Sequence, residues 1–577
     1  MKKFLLGLLC GVVLAGLIAV IFVFAVARLA DTKPSIADNS TLVLKLEGDL
    51  PEKAPVEIPL GLFENSSPIT VRDLWATLHR ASTDSRIHAV VIVPRSLSIG
   101  WGKLQEVREC LIAFKKSGKP VYASLRMPGL REYYVATAAD KIYTAPEDYL
   151  DIKGLRLEAM FFKNTLDKVG AQMEVEHVGK YKDAYDAFTR TSLSPESKQV
   201  YNELLDQYYN NLAEVIGAGR KKSPDEVKAI IDKGPFVAKE ALANGLVDAL
   251  GYEDQVYEDL KARLKSGDVK KIGQRDYIRA LSPEEGRAKI ALIVGQGVIT
   301  QGSGNESPFG GDDGLTAASF NKLLRRVKAD SSIKGVIVRI DSPGGDAIAS
   351  DDILHEMKDL SAKKPTVISM GDVAASGGYF MAMTGDPILA YPNTITGSIG
   401  VITAHINLRN LYDKLGIQKE LLSRGRFAAM DSDYKPMTPE EHDKLRSSIQ
   451  STYKGFVDRV AAGRKKKYED VDELAQGRVW LGAQAKQNGL VDELGGLDRA
   501  VEMIKQRAKL SADQKVVLVP YPPKRSLFEV LMTRSDEASM IEARMSREIA
   551  KIPGGDWINA AMHGGVMMLM PYQITVR

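Results

Sequence analysis

Ser376 is the residue whose setting most suggests chemistry. It lies in residues 371–379 (GDVAASGGY), after an apolar run, 365–370, that reads as a buried parallel strand. The run that follows, 379–385 (YFMAMTG), has helical character. A strand, a glycine-punctuated turn and a helix would expose the Ser376 hydroxyl at a helix N-terminus. Free backbone N–H groups there would face the carbonyl it attacks. Taken alone, the same serine reads as an ordinary N-cap.

Two nearby segments give it a possible site. In residues 341–345 (DSPGG), Pro343 presets a turn, and Gly344 and Gly345 let backbone amides approach closely. With the Gly377 amide they could hold an oxyanion; alone, the segment is a tight turn after a strand. Residues 396–400 (TGSIG) supply Ser398, a hydroxyl able to orient a base.

A serine hydroxyl needs that base, because it is a weak nucleophile by itself. The seven histidines are His79, His88, His177, His355, His405, His442 and His563, and none lies in a motif of a Ser-His-Asp triad. A lysine amine can serve instead where burial lowers its pKa and a hydroxyl holds it. The candidate comes from an internal repeat.

Five short segments recur in order at a spacing close to 246 residues, among them KPVYAS at 119–124 against KPTVIS at 364–369, and NGLVDAL at 244–250 against NGLVDEL at 488–494. At that offset Leu130 stands opposite Ser376, and Ala428 stands opposite Lys182, in 178–188 (VGKYKDAYDAF). One copy has the serine and no lysine; the other has the lysine and no serine. If both act, the two halves make one site. Alone, Lys182 reads as a surface lysine.

Each copy opens on an apolar strand, 41–46 and 290–294, and then alternates amphipathic helical stretches with short apolar runs, which predicts an α/β fold with a largely parallel core. The expected organisation is an N-terminal anchor over 1–30, a first repeat over 40–264, a polar linker over 265–287, a second repeat over 288–520 and a tail over 521–577. The glycine-rich, acidic stretch 302–314 reads as a loop able to border a site. The apolar run 566–572 in the tail reads as a packing, oligomer or membrane-surface contact.

Residues 4–27 hold 24 positions without a charge. As a helix they would span about 36 Å, enough for a hydrocarbon core of about 30 Å. Lys2 and Lys3 place the N-terminus on the cytoplasmic side. The run exceeds a signal-peptide core, so an uncleaved anchor is expected, although Ala25-Val26-Ala27 has the form of a cleavage site. The chain has 577 residues, with 78 basic against 74 acidic, which leaves no electrostatic footprint for nucleic acid. Its two cysteines, Cys10 and Cys110, form no metal-binding pattern, and with Cys10 in the apolar run an internal disulfide is not expected.

Together DSPGG, GDVAASGGY and TGSIGV, with GKYKDA in a preceding diverged copy, resemble the long, duplicated form of the signal peptide peptidase A family. The resemblance covers nearly the whole chain. It implies two tandem domains of the Clp protease/crotonase-like fold behind one transmembrane helix. By position it implies Ser376 as nucleophile, Lys182 as general base, Ser398 as the lysine's orienting partner, and Gly344 or Gly345 with Gly377 as oxyanion hole. It further implies a serine protease without cofactor or metal, degrading cleaved signal peptides in the membrane. The body would face outward from the bacterial inner membrane in a homo-oligomer, a homotetramer. Two rivals are a crotonase-like acyl-CoA enzyme, which membrane anchoring and a split serine and lysine fit poorly, and a non-catalytic membrane scaffold.

Overall fold

The computed structural model describes Gly11 and residues 34–53, 68–265, 268–281, 287–302, 314–523 and 566–570. Apart from Gly11, the expected anchor lies outside the described residues, as do the interior of the 302–314 loop and the tail between 524 and 565. Among the described residues no helix is long and apolar enough to cross a membrane.

Two parallel sheets carry the duplication. Ser40–Gly48 (β1), Ile87–Leu97 (β2), Val121–Leu125 (β3), Lys141–Thr144 (β4), Ala249–Leu250 (β5) and Lys270–Gly273 (β6) line up as β5-β4-β3-β2-β1-β6. Ala288–Gln296 (β7), Ile333–Ser342 (β8), Thr366–Ala375 (β9), Ile388–Ala390 (β10), Glu493–Leu494 (β11) and Val516–Tyr521 (β12) repeat the order as β11-β10-β9-β8-β7-β12. The central strands read as continuous apolar runs because helices cover both faces. Val90, Val91 and Ile92 in β2, and Val336, Ile337 and Val338 in β8, are all fully buried.

Side-chain bonds repeat as well. The Tyr133 hydroxyl donates to Leu246 O and the Tyr379 hydroxyl to Leu490 O, each at 2.7 Å. Arg220 pairs with Asp248 and Arg464 with Asp492.

The segment 265–287, expected to be a linker, instead completes the first sheet. Its strand β6 pairs with β1 as β12 pairs with β7, and Tyr277 just beyond it is fully buried. Only Ile272 of β6 is buried, so the edge strand left no periodic apolar signal in the sequence.

The repeats are joined through a buried ion cluster. Arg339 on β8, wholly buried, contacts Glu52 at 2.8 Å and Glu106 at 2.6 Å, both from the first repeat. Lys103, on helix Trp101–Lys115, meets Asp341 at 2.9 Å and Asp372 at 3.6 Å. Asp372 also accepts from the Lys103 and Gly100 amides at the start of that helix. Charges this deep are tolerated only when paired and hydrogen-bonded.

A third sheet draws on both repeats and the tail, in the order Leu315–Thr316, Ile299–Thr300, Gly344–Asp346, Met567–Leu569, Val401–Asn407 and Gln172–Val178. Of the three contacts considered for the tail's apolar run, packing is the one observed for 566–570.

Candidate active site

Strand β9 runs further than the sequence suggests. It passes through Gly371 and Asp372 because Val373–Ala375 find a second partner in Ile395–Gly397. The turn therefore falls on Ser376 itself, at φ +53°, before the short helix Gly377–Met381. A non-glycine residue there is strained, and the surrounding bonds hold it: the Ser376 amide donates to Gly397 O at 2.8 Å, and Phe380 N–H donates to Ser376 O at 2.8 Å. The hydroxyl, expected to be exposed, belongs to a residue with 0% exposure. In the first repeat Leu130 opens the corresponding helix, Leu130–Ala136, and offers no hydroxyl.

Lys182 reaches this serine within one chain. Its Nζ lies 2.8 Å from Ser376 Oγ, 2.9 Å from Ser398 O and 3.0 Å from Ser398 Oγ. A neutral amine has two N–H donors and one lone pair. Three partners suit it: two donations to Ser398 and one acceptance from the Ser376 hydroxyl. Burial pushes the Lys182 amine well below its ordinary pKa, with Asp183 acting weakly the other way.

The lysine segment is clamped by the second repeat. Tyr181 N–H donates to Gln476 O at 2.8 Å, and a Cβ on Gly477 would come within 2.7 Å of Lys182 N. Ser398 sits at φ +51° with its amide donating to Arg478 O at 2.7 Å. Residues 476–478 thus hold both the lysine and its partner.

The glycine turn lies against Ser376. A Cβ on Gly344 would be 2.7 Å from Gly377 N and 3.0 Å from Ser376 Cβ, and one on Gly377 would be 3.1 Å from Gly345 N. The Gly344 amide already donates to Ser342 Oγ at 3.2 Å, which leaves Gly345 and Gly377 as the pair nearest the serine.

Six of the seven histidines are among the described residues, and none is hydrogen-bonded to Ser376 or Lys182. His177 contacts Gly179 O, His405 contacts Ser432 O, His442 contacts Glu176 and His79 stacks on Trp75. His563 lies outside the described residues.

Sequence reasoning missed two groups of residues. Asp183, beside the lysine, is buried and accepts from the Ser197 hydroxyl and from Tyr201 on helix Pro195–Arg220; burial pushes its carboxyl up to about 7. Lys103 holds Asp341, which opens the glycine turn, and Asp372, four residues before Ser376. Burial alone would lower the Lys103 pKa, but the two carboxylates outweigh it and raise it. Both aspartates stood inside the quoted motifs. Their partner is more than two hundred residues away, and no spacing rule connects them.

A model of peptidase family S49 matches residues 113–267 and again 358–511, and a model of Clp protease matches 312–396. The chain is 34% identical over 538 residues to the chloroplastic serine protease SPPA of Arabidopsis thaliana, covering 92% of this chain and 78% of that one. It is 32% identical over 495 residues to protease 4 of Salmonella typhi, covering 82% and 79%. Against protease 4 of Haemophilus influenzae it is 32% identical over 502 residues, covering 83% and 79%.

Proposed function

The chain belongs to peptidase family S49 and is a serine protease, and we propose that Ser376 is its nucleophile, Lys182 its general base and Ser398 the partner that orients the lysine. The observation that carries this reading is the 2.8 Å contact between Lys182 Nζ and Ser376 Oγ in a buried setting that keeps the amine neutral. Lys182 takes the Ser376 proton as Oγ attacks a peptide carbonyl carbon. The oxyanion is held by backbone amides of the glycine turn, Gly345 rather than the engaged Gly344, together with Gly377. The ammonium of Lys182 then protonates the leaving amine, and water, deprotonated by the same lysine, releases the acyl-enzyme. In this reading both repeats have the Clp protease/crotonase-like fold, a reading supported by their identical strand order.

The proposed substrates are signal peptides left in the membrane after preprotein processing. Two features support an apolar peptide: the cluster of Tyr185, Phe188 and Ile402 beside the site, and the uncharged run 4–27 that would anchor the body at a bilayer. The proposed setting is the outer face of the bacterial inner membrane, in a homotetramer, as the motif resemblance implies.

Labelling with a fluorophosphonate tests the catalytic assignment. The unmodified protein should take one label and Ser376→Ala none. Lys182→Met should fold yet label far more slowly. A label retained by Ser376→Ala would place the nucleophile elsewhere.

A further inference from the structure

The tail strand Met567–Leu569 belongs to neither repeat, yet it fills the space between Gly344–Asp346 and Val401–Asn407, the strands adjoining Ser376 and Ser398. It runs antiparallel to the glycine turn, pairing Gly344 with Leu569, Gly345 with Met568 and Asp346 with Met567. Two further bonds extend the ladder: Ala347 N–H donates to Val566 O at 3.1 Å, and Met570 N–H donates to Pro343 O at 2.8 Å. On its other side it pairs at a single position, Met567 with Ile402. Without it, Gly344–Asp346 would be an open edge, the kind of edge to which an extended peptide adds by main-chain bonding.

The side chains alternate as a strand requires. Met567 and Leu569 pack with Ala184, Tyr185, Phe188 and Ile402, so one wall of the groove comes from the segment that follows Lys182. Met568 packs into the core of the second repeat. A Cβ on Gly344 would run into Met568 O, at a point 2.7 Å from Gly377 N and 3.0 Å from Ser376 Cβ. A carbonyl of the tail therefore stands where the serine and the oxyanion donors converge, and Ser376 is wholly buried.

We propose that residues 566–570 are a built-in, substrate-like occupant of the peptide groove, which a peptide must displace before Ser376 can act on it. The proposal rests on the reading of Ser376 as nucleophile. The occupant is uncharged and apolar (VMMLM), so it competes for the same surface as an apolar peptide. Its effect on affinity follows from population: a groove open a tenth of the time binds about tenfold more weakly.

The test uses the full-length chain. Leu569→Asp puts a charge into the buried cluster and should eject the strand. On a fluorogenic apolar peptide this variant should show KM lowered about tenfold. In parallel, a fluorescent peptide of sequence VMMLM is titrated against Ser376→Ala and against Ser376→Ala/Leu569→Asp, with melting temperatures recorded. The double variant should bind it at least about tenfold more tightly, and an unlabelled apolar peptide should compete. Equal binding to both, or no binding to a double variant that melts like its parent, overturns the proposal. A double variant that melts far below its parent overturns it too, by making the strand a fixed part of the fold. Absence of any Ser376-dependent turnover would instead overturn the catalytic reading, while the binding titration still decides the occupancy.

Discussion

Lys182 Nζ and Ser376 Oγ lie 2.8 Å apart although 194 residues separate them in the chain, and neither residue is more than 1% exposed. One comes from each repeat, so the site exists only where the two repeats meet. The loss of serine from one copy and of lysine from the other is thus a division of labour. The clamp at 476–478 and the Lys103 and Arg339 ion pairs are the contacts that hold the two halves in register for it.

Ser398 should act on rate more than on binding. Its hydroxyl and carbonyl both hold Lys182, and only the hydroxyl is lost on substitution. Because Ser398 sits at φ +51°, glycine removes the hydroxyl without adding a strained Cβ. Ser398→Gly should lower kcat about 10- to 100-fold with little change in KM, as expected for one hydrogen bond to a group that becomes charged. Steady-state kinetics on one peptide checks this; a rise in KM alone would assign Ser398 to substrate binding.

Arg339 should govern stability. Arg339→Met leaves Glu52 and Glu106 buried without their shared cation, which should cost about 3–5 kcal/mol in urea unfolding. Adding Glu52→Gln and Glu106→Gln to it should recover part of that loss. If the single variant unfolds like the parent, the cluster does not join the repeats.

Asp183 should make stability depend on pH. Its folded pKa of about 7 lies above the ordinary 3.8, so between these values the folded state binds the proton more tightly. The stabilisation is complete below about pH 4 and is lost as pH rises through about 7, on the order of a few kcal/mol in all. Asp183→Asn should flatten the unfolding free energy across that window, measured by urea titration at several pH values.

Much of this was legible in the sequence because the duplication provided its own control. Copies set side by side showed which positions had diverged, and so which serine and lysine were worth pairing. The strand cores around Val90 and Val336 were readable as apolar runs. What stayed hidden depends on contacts between distant segments. Strand β6 has one buried residue and no pattern, Asp183 looks like any surface aspartate beside a lysine, and Met567–Leu569 acquires meaning only through its register against Gly344–Asp346.

The central claim is that a neutral lysine is the base, and a rate-versus-pH profile tests it most directly. Burial holds the Lys182 amine below the ordinary lysine value, so kcat/KM for a fluorogenic apolar peptide should rise with pH through that lowered pKa and level off before the ordinary value of about 10.5. Lys182→Met should abolish the rise along with the activity. A rate that is flat from about pH 6 to about pH 10, or a Lys182→Met variant that keeps its turnover, would contradict the account and return the search for the base to another residue.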